Sequence, residues 1–331
     1  MNTSEKNLSM GKVKKEKLLR LKIKKASFFL LGLSFFFLPG ENYYLNLRTV
    51  WQPARVQTVN IDLPLPVTYP INYVGQPAPF LTAHSVLVMD RDSAVVMYEK
   101  NPRSQLRPAS TVKIMTALVS INHYQPDEIL TVNSIDWEGQ DVGLEEGEKI
   151  SARALLYSLL VASANDAAQV LANNYSGDEG TFVAAMNAKA KELSLADSYF
   201  ASPSGLDTDG GYSLTTTLDL ARLTTYALRN PFFAQIVATP QITVTDMTGK
   251  IVHQLYNINQ LLGQIEGLKG VKTGWTEEAG ECLVSYVERG SKGIVVVVLG
   301  SQDRFSETAE LINWAFANFE WESPIQATGD Q

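Results

Sequence analysis

The stretch Pro108-Ala-Ser-Thr-Val-Lys-Ile-Met-Thr-Ala-Leu118 is the part of the sequence from which the fold is inferred. Its apolar residues recur at helical spacing, which predicts a helix over Ser110–His123 after the proline. Ser110 and Lys113 are three positions apart, so both side chains lie on one face of this helix. A neutral lysine can remove the proton of a serine hydroxyl, and an apolar helix is an unnatural place for a solvated lysine. The stretch therefore predicts a nucleophilic serine with a lysine base.

Two later strings add polar groups of complementary chemistry. Ser163-Ala164-Asn165 lies where two predicted helices meet, Ser151–Val161 and Asp166–Asn174. Its two polar side chains stand among small apolar residues, and buried polar groups need hydrogen-bond partners. Lys272-Thr273-Gly274 ends the predicted strand Leu268–Lys272. A lysine beside a hydroxyl suits a carboxylate, and a glycine lets the backbone of a ligand approach closely.

Each of the three strings, taken alone, has an ordinary structural explanation as a helix cap, a surface lysine or a strand end. The chain repeats two of the patterns in Ser9-Met10-Gly11-Lys12 and in Ser120-Ile121-Asn122. Order, spacing and local context separate the three strings from these copies, since the second copy lies on the same helix as the predicted nucleophile. A nearby Lys272 would lower the pKa of Lys113, and the N–H groups at the helix start would stabilise an oxyanion.

The remaining apolar patterns predict strands at both ends of the folded body and helices between them. The predicted strands are Ser85–Asp90, Ala94–Tyr98, Leu268–Lys272, Glu281–Glu288 and Gly293–Leu299. The other predicted helices are Thr181–Leu193, Thr216–Leu228 and a closing amphipathic helix, Phe305–Phe319. This arrangement predicts one sheet formed by the two ends of the chain, with the helices of the middle as a large insertion.

Charge is divided unevenly along the 331 residues. Nine of the 28 Lys and Arg residues but only two of the 35 Asp and Glu residues lie within residues 1–25, so a basic tail precedes an acidic remainder. A nucleic-acid-binding domain would need a basic folded surface, so nucleic acid is not an expected partner. The uncharged apolar run Ala26–Leu38 follows the tail, and this combination is typical of an export signal.

The apolar run is shorter than a comfortable membrane-spanning helix, and no small-x-small cleavage site follows it. We therefore favour an uncleaved signal anchor over a cleaved signal peptide, with flanking lysines reaching the interface. The positive-inside rule then places the tail in the cytoplasm and the acidic body on the extracytoplasmic side of the membrane. Six of the 14 prolines lie in residues 40–82, which predicts an extended spacer. The predicted divisions are a basic cytoplasmic tail (1–25), a signal anchor or signal peptide (26–39), a proline-rich spacer (40–80), a catalytic domain (81–320) and a polar tail (321–331).

Neither the cysteine nor the histidines predict a metal centre. Cys282 is the only cysteine, and its neighbours predict a buried strand residue rather than a catalytic thiol. His84, His123 and His253 are scattered without the spacing of metal ligands. We therefore expect no metal ion and no cofactor.

Taken together, these features resemble the serine D-Ala-D-Ala carboxypeptidases, the low-molecular-mass penicillin-binding proteins. The resemblance extends beyond the three strings, which class A β-lactamases also carry. It rests on Pro108–Leu118, Leu160–Ala168, Ser204–Asp207, Lys272–Leu283 and Asn313-Trp314, and it covers the chain from about Leu81 to Phe319. It implies a β-lactamase/transpeptidase-like fold of the α/β (α+β) class, with a mainly antiparallel sheet flanked by helices and a helical insertion subdomain.

The resemblance also implies four catalytic residues. Ser110 would attack the carbonyl of the penultimate D-Ala of a peptidoglycan stem peptide, and Lys113 would take its proton. Ser163 would relay a proton to the leaving D-Ala. Asn165 would hold the substrate amide and help to position Lys113.

Four further residues would bind the substrate. Lys272 and Thr273 would hold its terminal carboxylate, while Gly274 and Trp275 would border the groove. The backbone N–H groups of Ser110 and Trp275 would form the oxyanion hole. By the same resemblance, β-lactam antibiotics would be covalent inhibitors, and the N-terminal segment would attach the enzyme to the membrane.

Three other functions compete with a carboxypeptidase. A class A β-lactamase needs a glutamate-bearing loop after the second string, and residues 171–211 contain only Glu179 and Glu192, neither of them in a Glu-x-x-Leu-Asn string. A non-catalytic peptidoglycan-binding scaffold predicts the loss of at least one catalytic position, and all of them are present. A DD-endopeptidase acting on cross-links would use the same residues, so this alternative stays open.

Overall fold

The structure is a computed structural model that describes residues 3–37, 67–133, 138–176, 178–208 and 211–323. It divides into two compact units, Met1–Pro64 and Leu65–Gln331. In the first unit, helix α1 (Thr3–Phe37) contains the described part of the predicted basic tail and the apolar run as far as Phe37. No described helix has an apolar stretch long enough to cross a membrane. The predicted spacer up to residue 66 and the predicted tail from residue 324 lie outside the described residues.

The second unit is built around a five-stranded antiparallel sheet. Its strands are β2 (Ser85–Asp90), β3 (Val96–Lys100), β8 (Leu268–Thr276), β9 (Gly280–Arg289) and β10 (Lys292–Ser301). Their spatial order is β3-β2-β10-β9-β8, so β10 from one end of the chain pairs with β2 from the other. This pairing confirms the predicted sheet built from both chain ends. The hairpin strand β3 begins two residues later than the sequence predicts, and its pairing with β2 has a register shift between Val88 and Met89.

Helices fill the middle of the chain and close its end. They are α2 (Lys113–His123), α3 (Ala152–Val161), α4 (Asn165–Asn174), α5 (Glu179–Glu192), α6 (Thr217–Ala227), α7 (Pro231–Val237) and α8 (Arg304–Asn318). The predicted helix over Ser110–His123 has two parts, because its first turn is a 3-10 helix (Ala109–Val112) that leads into α2. Such turns are frequent at the start of α-helices, and this one holds Ser110 just ahead of Lys113.

Both faces of the sheet are covered by a hydrophobic core. On β2, Leu87 and Met89 belong to the larger core beneath the helices of the middle region, whereas Val86 and Val88 belong to a smaller core. Successive strand residues point to opposite faces, so the near-continuous apolar run of β2 serves both. Helix α8 covers the smaller core with Leu311, Ile312 and Ala315. The larger core carries the catalytic motifs.

Several short elements were not predicted from the sequence. They are α7 and three two-stranded ladders: β4 (Ile129–Thr131) with β5 (Lys149–Ser151), β6 (Gln241–Thr245) with β7 (Val252–Tyr256), and β1 (Tyr69–Asn72) with β11 (Phe319–Glu322). The folded unit thus begins before Leu81, inside the predicted spacer, and continues past residue 320. Pro70 is tolerated in β1 because a strand with one partner does not need every N–H group.

Candidate active site

Ser110 and Lys113 meet at the junction of the 3-10 helix with α2. Lys113 is the first residue of α2 and is completely buried, while Ser110 lies one turn earlier and is partly exposed. The Nζ atom of Lys113 donates a hydrogen bond to Ser110 Oγ at 2.9 Å. The chain thus brings together the two residues that the first string predicts as nucleophile and base.

Two further contacts of Lys113 determine where its lone pair points when it loses a proton. Its Nζ donates to Asn165 Oδ1 at 2.7 Å and to the backbone oxygen of Ser204 at 2.9 Å. Both of these oxygens can only accept, whereas the Ser110 hydroxyl can accept or donate. A neutral Lys113 therefore keeps its two remaining N–H bonds on Asn165 and Ser204. Its lone pair then faces the Ser110 hydroxyl proton.

Burial makes the neutral form of Lys113 accessible. Removal from water lowers the pKa of the Lys113 ammonium to about 7, and the negative charge of Asp166 offsets part of this effect. A lysine with its ordinary pKa would be almost wholly protonated at neutral pH. A buried Lys113 with a pKa of about 7 is neutral in a large fraction of molecules and can act as a base.

The second string lies at the turn between α3 and α4. Ser163 has a left-handed backbone with φ +61, and α4 begins at Asn165. Asn165 Nδ2 donates to the backbone oxygen of Glu138 at 2.6 Å, which fixes the side-chain amide with its oxygen toward Lys113. The backbone N–H groups of Val142 and Leu144 donate to the neighbouring carboxylate of Asp166. These bonds fasten the segment 138–144 to the start of α4.

Lys272 and Ser163 form a second polar pair in the cleft. Lys272 is buried in β8 and donates to Ser163 Oγ at 2.8 Å and to the backbone oxygen of Thr273 at 2.9 Å. Burial lowers the pKa of Lys272 well below its ordinary value, and the positive charges of Lys113 and Arg304 lower it further. An anion bound beside Lys272 would reverse this effect, because an opposite charge favours the ammonium form.

Two polar atoms near Lys272 have no partner in the described part of the chain. Thr273 Oγ1 and Arg304 Nε are both buried and make no hydrogen bond there. Arg304 Nη1 donates to the backbone oxygen of Gly274 at 2.6 Å, so the guanidinium lies beside the third string. Buried polar atoms without partners are costly, which indicates that a ligand supplies the missing acceptor.

Glycines allow the backbones around Ser110 to approach one another closely. A Cβ atom at Gly274 would lie 3.0 Å from Ser110 N, so β8 runs directly alongside the nucleophile. A Cβ atom at Gly205 would lie 2.1 Å from the backbone oxygen of Ala109, and Gly205 has φ +88. Ala109 itself has a left-handed backbone with φ +47. The position of Ser110 therefore depends on two glycines that lie far from it in the sequence.

The predicted residues border one cleft with a volume of about 550 Å³. Its lining residues are Ser110, Gly139, Gln140, Ser163, Asn165, Leu206, Ile258, Thr273, Gly274, Trp275, Thr276, Glu277 and Arg304. Trp275 is 61% exposed and stands at the mouth. Lys113 and Lys272 lie beneath this lining, in contact with Ser110 and Ser163.

Three parts of the site were not predicted from the sequence: Arg304, Asp166 and the Ser204 carbonyl. Asp166 directly follows the second string, and Ser204 lies within a stretch already noted for its resemblance. Arg304 starts α8, at a distance of 32 residues from Lys272 in the sequence, and no motif marks it. Only the fold brings it to the cleft.

The described residues contain no group of three or more His, Cys, Asp or Glu side chains placed to hold a metal ion. Cys282 is buried in β9, and burial raises the pKa of its thiol to about 11, so it stays protonated. The imidazole of His253 is hydrogen-bonded to the carboxylate of Glu148, with 2.9 Å between His253 Nε2 and Glu148 Oε1. The polar chemistry of the cleft comes from serine, lysine, asparagine, threonine and arginine.

Comparison with known proteins identifies the family of this chain. A family model described as D-alanyl-D-alanine carboxypeptidase matches residues 72–303. The chain belongs to this family. It is 32% identical over 248 residues to the D-alanyl-D-alanine carboxypeptidase DacF of Bacillus subtilis, an alignment that covers 72% of this chain and 63% of that protein. The chain therefore spans less than two thirds of that relative.

Other D-alanyl-D-alanine carboxypeptidase family relatives are matched over more of their length. The chain is 33% identical over 249 residues to the D-alanyl-D-alanine carboxypeptidase DacB2 of Mycobacterium tuberculosis, covering 73% of this chain and 84% of that protein. Among solved structures, penicillin-binding protein D2 of Listeria monocytogenes in its ampicillin-bound form matches with a TM-score of 0.65 and 32% identity. That match covers 72% of this chain and 100% of the Listeria chain. These findings confirm both the predicted family and the predicted fold class.

Proposed function

We propose that this chain is a serine D-Ala-D-Ala carboxypeptidase that removes the terminal D-Ala from peptidoglycan pentapeptide stems. The observation that carries the proposal is the hydrogen bond from Nζ of the buried Lys113 to Ser110 Oγ. The other two N–H bonds of Lys113 are held by the oxygens of Asn165 and Ser204, which can only accept. It supplies a nucleophile and a base in one place, at the start of a helix. Family membership and the match to penicillin-binding protein D2 support the same conclusion.

In acylation, Ser110 Oγ bonds to the carbonyl carbon of the penultimate D-Ala while Lys113 takes the hydroxyl proton. The backbone N–H groups of Ser110 and Trp275 hold the oxyanion. The carbon–nitrogen bond to the terminal D-Ala then breaks. The leaving nitrogen receives the proton from Lys113 through the hydroxyl of Ser163. Asn165 keeps Lys113 in place and holds the substrate amide.

In the second half of the reaction, water releases the acyl group. Its oxygen bonds to the acyl carbon, the bond to Ser110 Oγ breaks, and one water proton passes through Lys113 to Ser110 Oγ. The products are the shortened stem and free D-Ala. Every proton taken up in the cycle is returned, so no co-reactant besides water is needed.

The terminal carboxylate of the substrate would sit against the third string. Lys272 supplies a positive charge, and the Thr273 hydroxyl and Arg304 Nε supply donors that lack a partner in the described chain. Charge-assisted hydrogen bonds of this kind are stronger than neutral ones. Gly274 keeps β8 open beside Ser110, and Trp275 borders the entrance. A β-lactam carries a carboxylate and a reactive amide, so we expect it to acylate Ser110 and to block the site.

The test uses the purified chain with a linear peptide ending in D-Ala-D-Ala and, separately, with fluorescent penicillin. Release of D-Ala and covalent labelling are both expected from the wild type. Ser110→Ala should lose both while keeping the thermal stability of the fold. Labelling that persists in Ser110→Ala contradicts the assigned nucleophile. Cleavage of a cross-linked dimer without release of D-Ala from the linear peptide would instead support an endopeptidase.

The same proposal includes the location of the enzyme. The basic residues of the segment 1–25 and the apolar run Ala26–Leu38 support an N-terminal anchor in the bacterial cell membrane, with the catalytic unit on the extracytoplasmic side. Fractionation with protease treatment of whole cells should find the catalytic unit in the membrane fraction and accessible from outside. Mass spectrometry should find a native N-terminus at Met1 or Asn2. An N-terminus near residue 40 would mean that the segment is a cleaved signal peptide.

A further inference from the structure

A second cavity lies far from the catalytic cleft, at the opposite edge of the five-stranded sheet. It has a volume of about 1000 Å³ and shares no lining residue with the cleft. The cleft is bordered by β8 and this cavity by β3, and these two strands form the two edges of the sheet. Four strand spacings separate the edges, which corresponds to about 19 Å. We call this second cavity the β3 cavity.

The floor of the β3 cavity is apolar and continuous with the larger core. Met89, Leu193 and Leu218 line it together with Val96, which is 41% exposed. Val96 lies opposite Met89 in the pairing of β2 with β3, so it faces the helix side of the sheet. The cavity therefore offers an apolar surface on which the side chains of a ligand can lose contact with water.

Three arginines surround this floor, while Glu99 is the only acidic residue among the described residues that line it. Arg103 Nη1 lies 3.6 Å from Asp197 Oδ2, and Arg222 Nη1 lies 3.8 Å from Asp219 Oδ1, distances at the outer limit for ion pairs. Arg229 has the ring of Tyr226 at 5.9 Å and no ion pair in the described part of the chain. The lining thus carries more positive than negative side chains, and Arg229 is its arginine without an ion pair among the described residues.

Two further groups in the β3 cavity lack partners. Thr225 Oγ1 is buried and makes no hydrogen bond to any described residue. Among the described strands, β3 pairs only with β2, so alternate N–H and C=O groups along its outer edge are open to a further strand. Arg222, Thr225 and Arg229 follow one another at spacings of three and four, which places them along one side of α6 and the turn after it.

We propose that the β3 cavity binds an extended acidic peptide segment of a partner protein, which lies along the edge of β3. The backbone of such a segment pairs with the open strand edge, and alternate apolar side chains fill the floor. Its carboxylates meet Arg229, which has no ion pair among the described residues, and Arg222, whose ion pair with Asp219 is long at 3.8 Å. Charge complementarity selects an acidic segment over a basic or neutral one. The site is separate from the hydrolytic chemistry and would recruit the enzyme to a partner.

The binding test uses the full chain and a short fluorescent peptide with alternating Val and Glu, followed by fluorescence anisotropy. The expected result is saturable binding that weakens as salt rises, because salt screens exposed charges. A peptide with Gln in place of Glu should bind about tenfold more weakly or worse. The Val-Glu peptide with alternate backbone nitrogens methylated should also lose binding, because it can no longer pair with a strand edge.

A charge-reversed double variant, Arg222→Glu with Arg229→Glu, should bind the Val-Glu peptide about tenfold more weakly or worse. Its matched control is Lys250→Glu with Lys269→Glu, which makes the same change in net charge at two exposed lysines without ion pairs among the described residues. The control should bind the peptide as the wild type does. Both variants should be labelled by fluorescent penicillin at the wild-type rate, because neither changes the cleft.

Four results would overturn the proposal. Equal binding of the Glu and Gln peptides would show that the negative charges do not contribute to binding. An equal loss of peptide affinity in the two double variants would show that Arg222 and Arg229 have no specific part in it. Full binding of the methylated peptide would exclude pairing with β3. Displacement of the Val-Glu peptide by soluble peptidoglycan stem peptides at similar concentrations would assign the β3 cavity to the cell wall rather than to a protein. The comparison of peptides leaves the protein unchanged, so the test stands even if the Arg222 and Arg229 variant folds poorly.

Discussion

The rate at which Ser110 is acylated should follow the ionisation of Lys113. The perturbation is a change of pH from 8 to 6, which leaves the covalent structure of the protein intact. Burial lowers the pKa of Lys113 to about 7, so this interval spans its titration. Only the neutral amine can take the Ser110 proton, and protonation also places a third N–H bond on Ser110 Oγ.

The magnitude follows from that pKa. With a pKa of about 7, roughly ten in eleven Lys113 side chains are neutral at pH 8 and roughly one in eleven at pH 6. The acylation rate should therefore fall by about tenfold from pH 8 to pH 6. Above pH 8 it should change little, since almost every Lys113 is already neutral. An ordinary lysine, with a pKa near 10.4, would instead give a rate that keeps rising through this range.

The assay is the rate of covalent labelling by fluorescent penicillin in excess, quenched at intervals and measured on a gel. The carboxylate of penicillin stays ionised from pH 6 to 8, so the ligand keeps its charge. Lys113→Arg serves as the control, because a guanidinium stays protonated at these pH values and cannot act as the base. It should label slowly at every pH.

Two results would refute this reasoning. A flat profile between pH 6 and 8 would mean that Lys113 does not titrate there or does not limit acylation. A Lys113→Arg variant that keeps the wild-type rate would mean that another group takes the proton. A midpoint shifted by less than one pH unit would still fit, because the pKa of Lys113 is about 7.

Three substitutions test the parts of the site around this base. Asn165→Asp places a negative charge at the atom that lies 2.7 Å from Lys113 Nζ, so it should raise the pKa of Lys113. The fall in the labelling rate on the acid side should therefore occur at a pH higher by one unit or more. Thr273→Val removes a buried hydroxyl without a partner in the described chain, so denaturation should show about 1 kcal/mol more stability while KM for a D-Ala-D-Ala peptide rises. Gly205→Ala puts a Cβ atom 2.1 Å from the backbone oxygen of Ala109, so it should cost more than about 2 kcal/mol of stability and abolish labelling.

Each substitution has a control or a contradicting result. Gly249 also has a left-handed backbone, with φ +72, but nothing lies within 4 Å of an added Cβ atom, so Gly249→Ala should lose only about 1 kcal/mol and keep full activity. Equal losses at Gly205 and Gly249 would contradict the close approach. Thr273→Ser should keep the KM of the wild type, and a Thr273→Val variant with unchanged KM would show that the hydroxyl does not bind substrate. A lower pH midpoint in Asn165→Asp would contradict the predicted sign.

The elements that carry the motifs could be predicted from the sequence because their signals are local. Helical spacing predicted the helix after Pro108, and the strand at Lys272 and the helix junction at Ser163 were placed within a few residues. The short ladders β4–β5 and β6–β7 were missed, since each strand has only three to five residues and little alternation to detect. Strand β1 was missed because Pro70 and its proline-rich surroundings indicated a spacer.

The geometry of the site could be predicted only in part. Spacing alone placed Ser110 and Lys113 together, because both belong to one helix start. The contacts of Lys113 with Asn165 and Ser204, and of Lys272 with Ser163, join segments that are distant in the sequence. No periodicity encodes such contacts. They depend on how β8 and the segment 202–206 pack against the 3-10 helix, and this packing requires glycine at positions that look like ordinary turns.

The two buried lysines explain why the site combines burial with an anionic substrate. Burial favours the neutral form of Lys113, and a bound carboxylate favours the charged form of Lys272. A pKa of about 7 means that holding Lys113 charged inside the fold costs about 5 kcal/mol relative to water, and this cost is fully present below pH 7 and vanishes as pH rises through the ordinary lysine pKa. Burial also disfavours the charged form of Lys272 and lowers its pKa, and repulsion from Lys113 and Arg304 lowers it further. A bound carboxylate supplies the missing opposite charge beside Lys272. It stabilises the ammonium that holds the substrate and cancels its repulsion toward Lys113, so one lysine can stay charged as an anchor while the other stays neutral as a base.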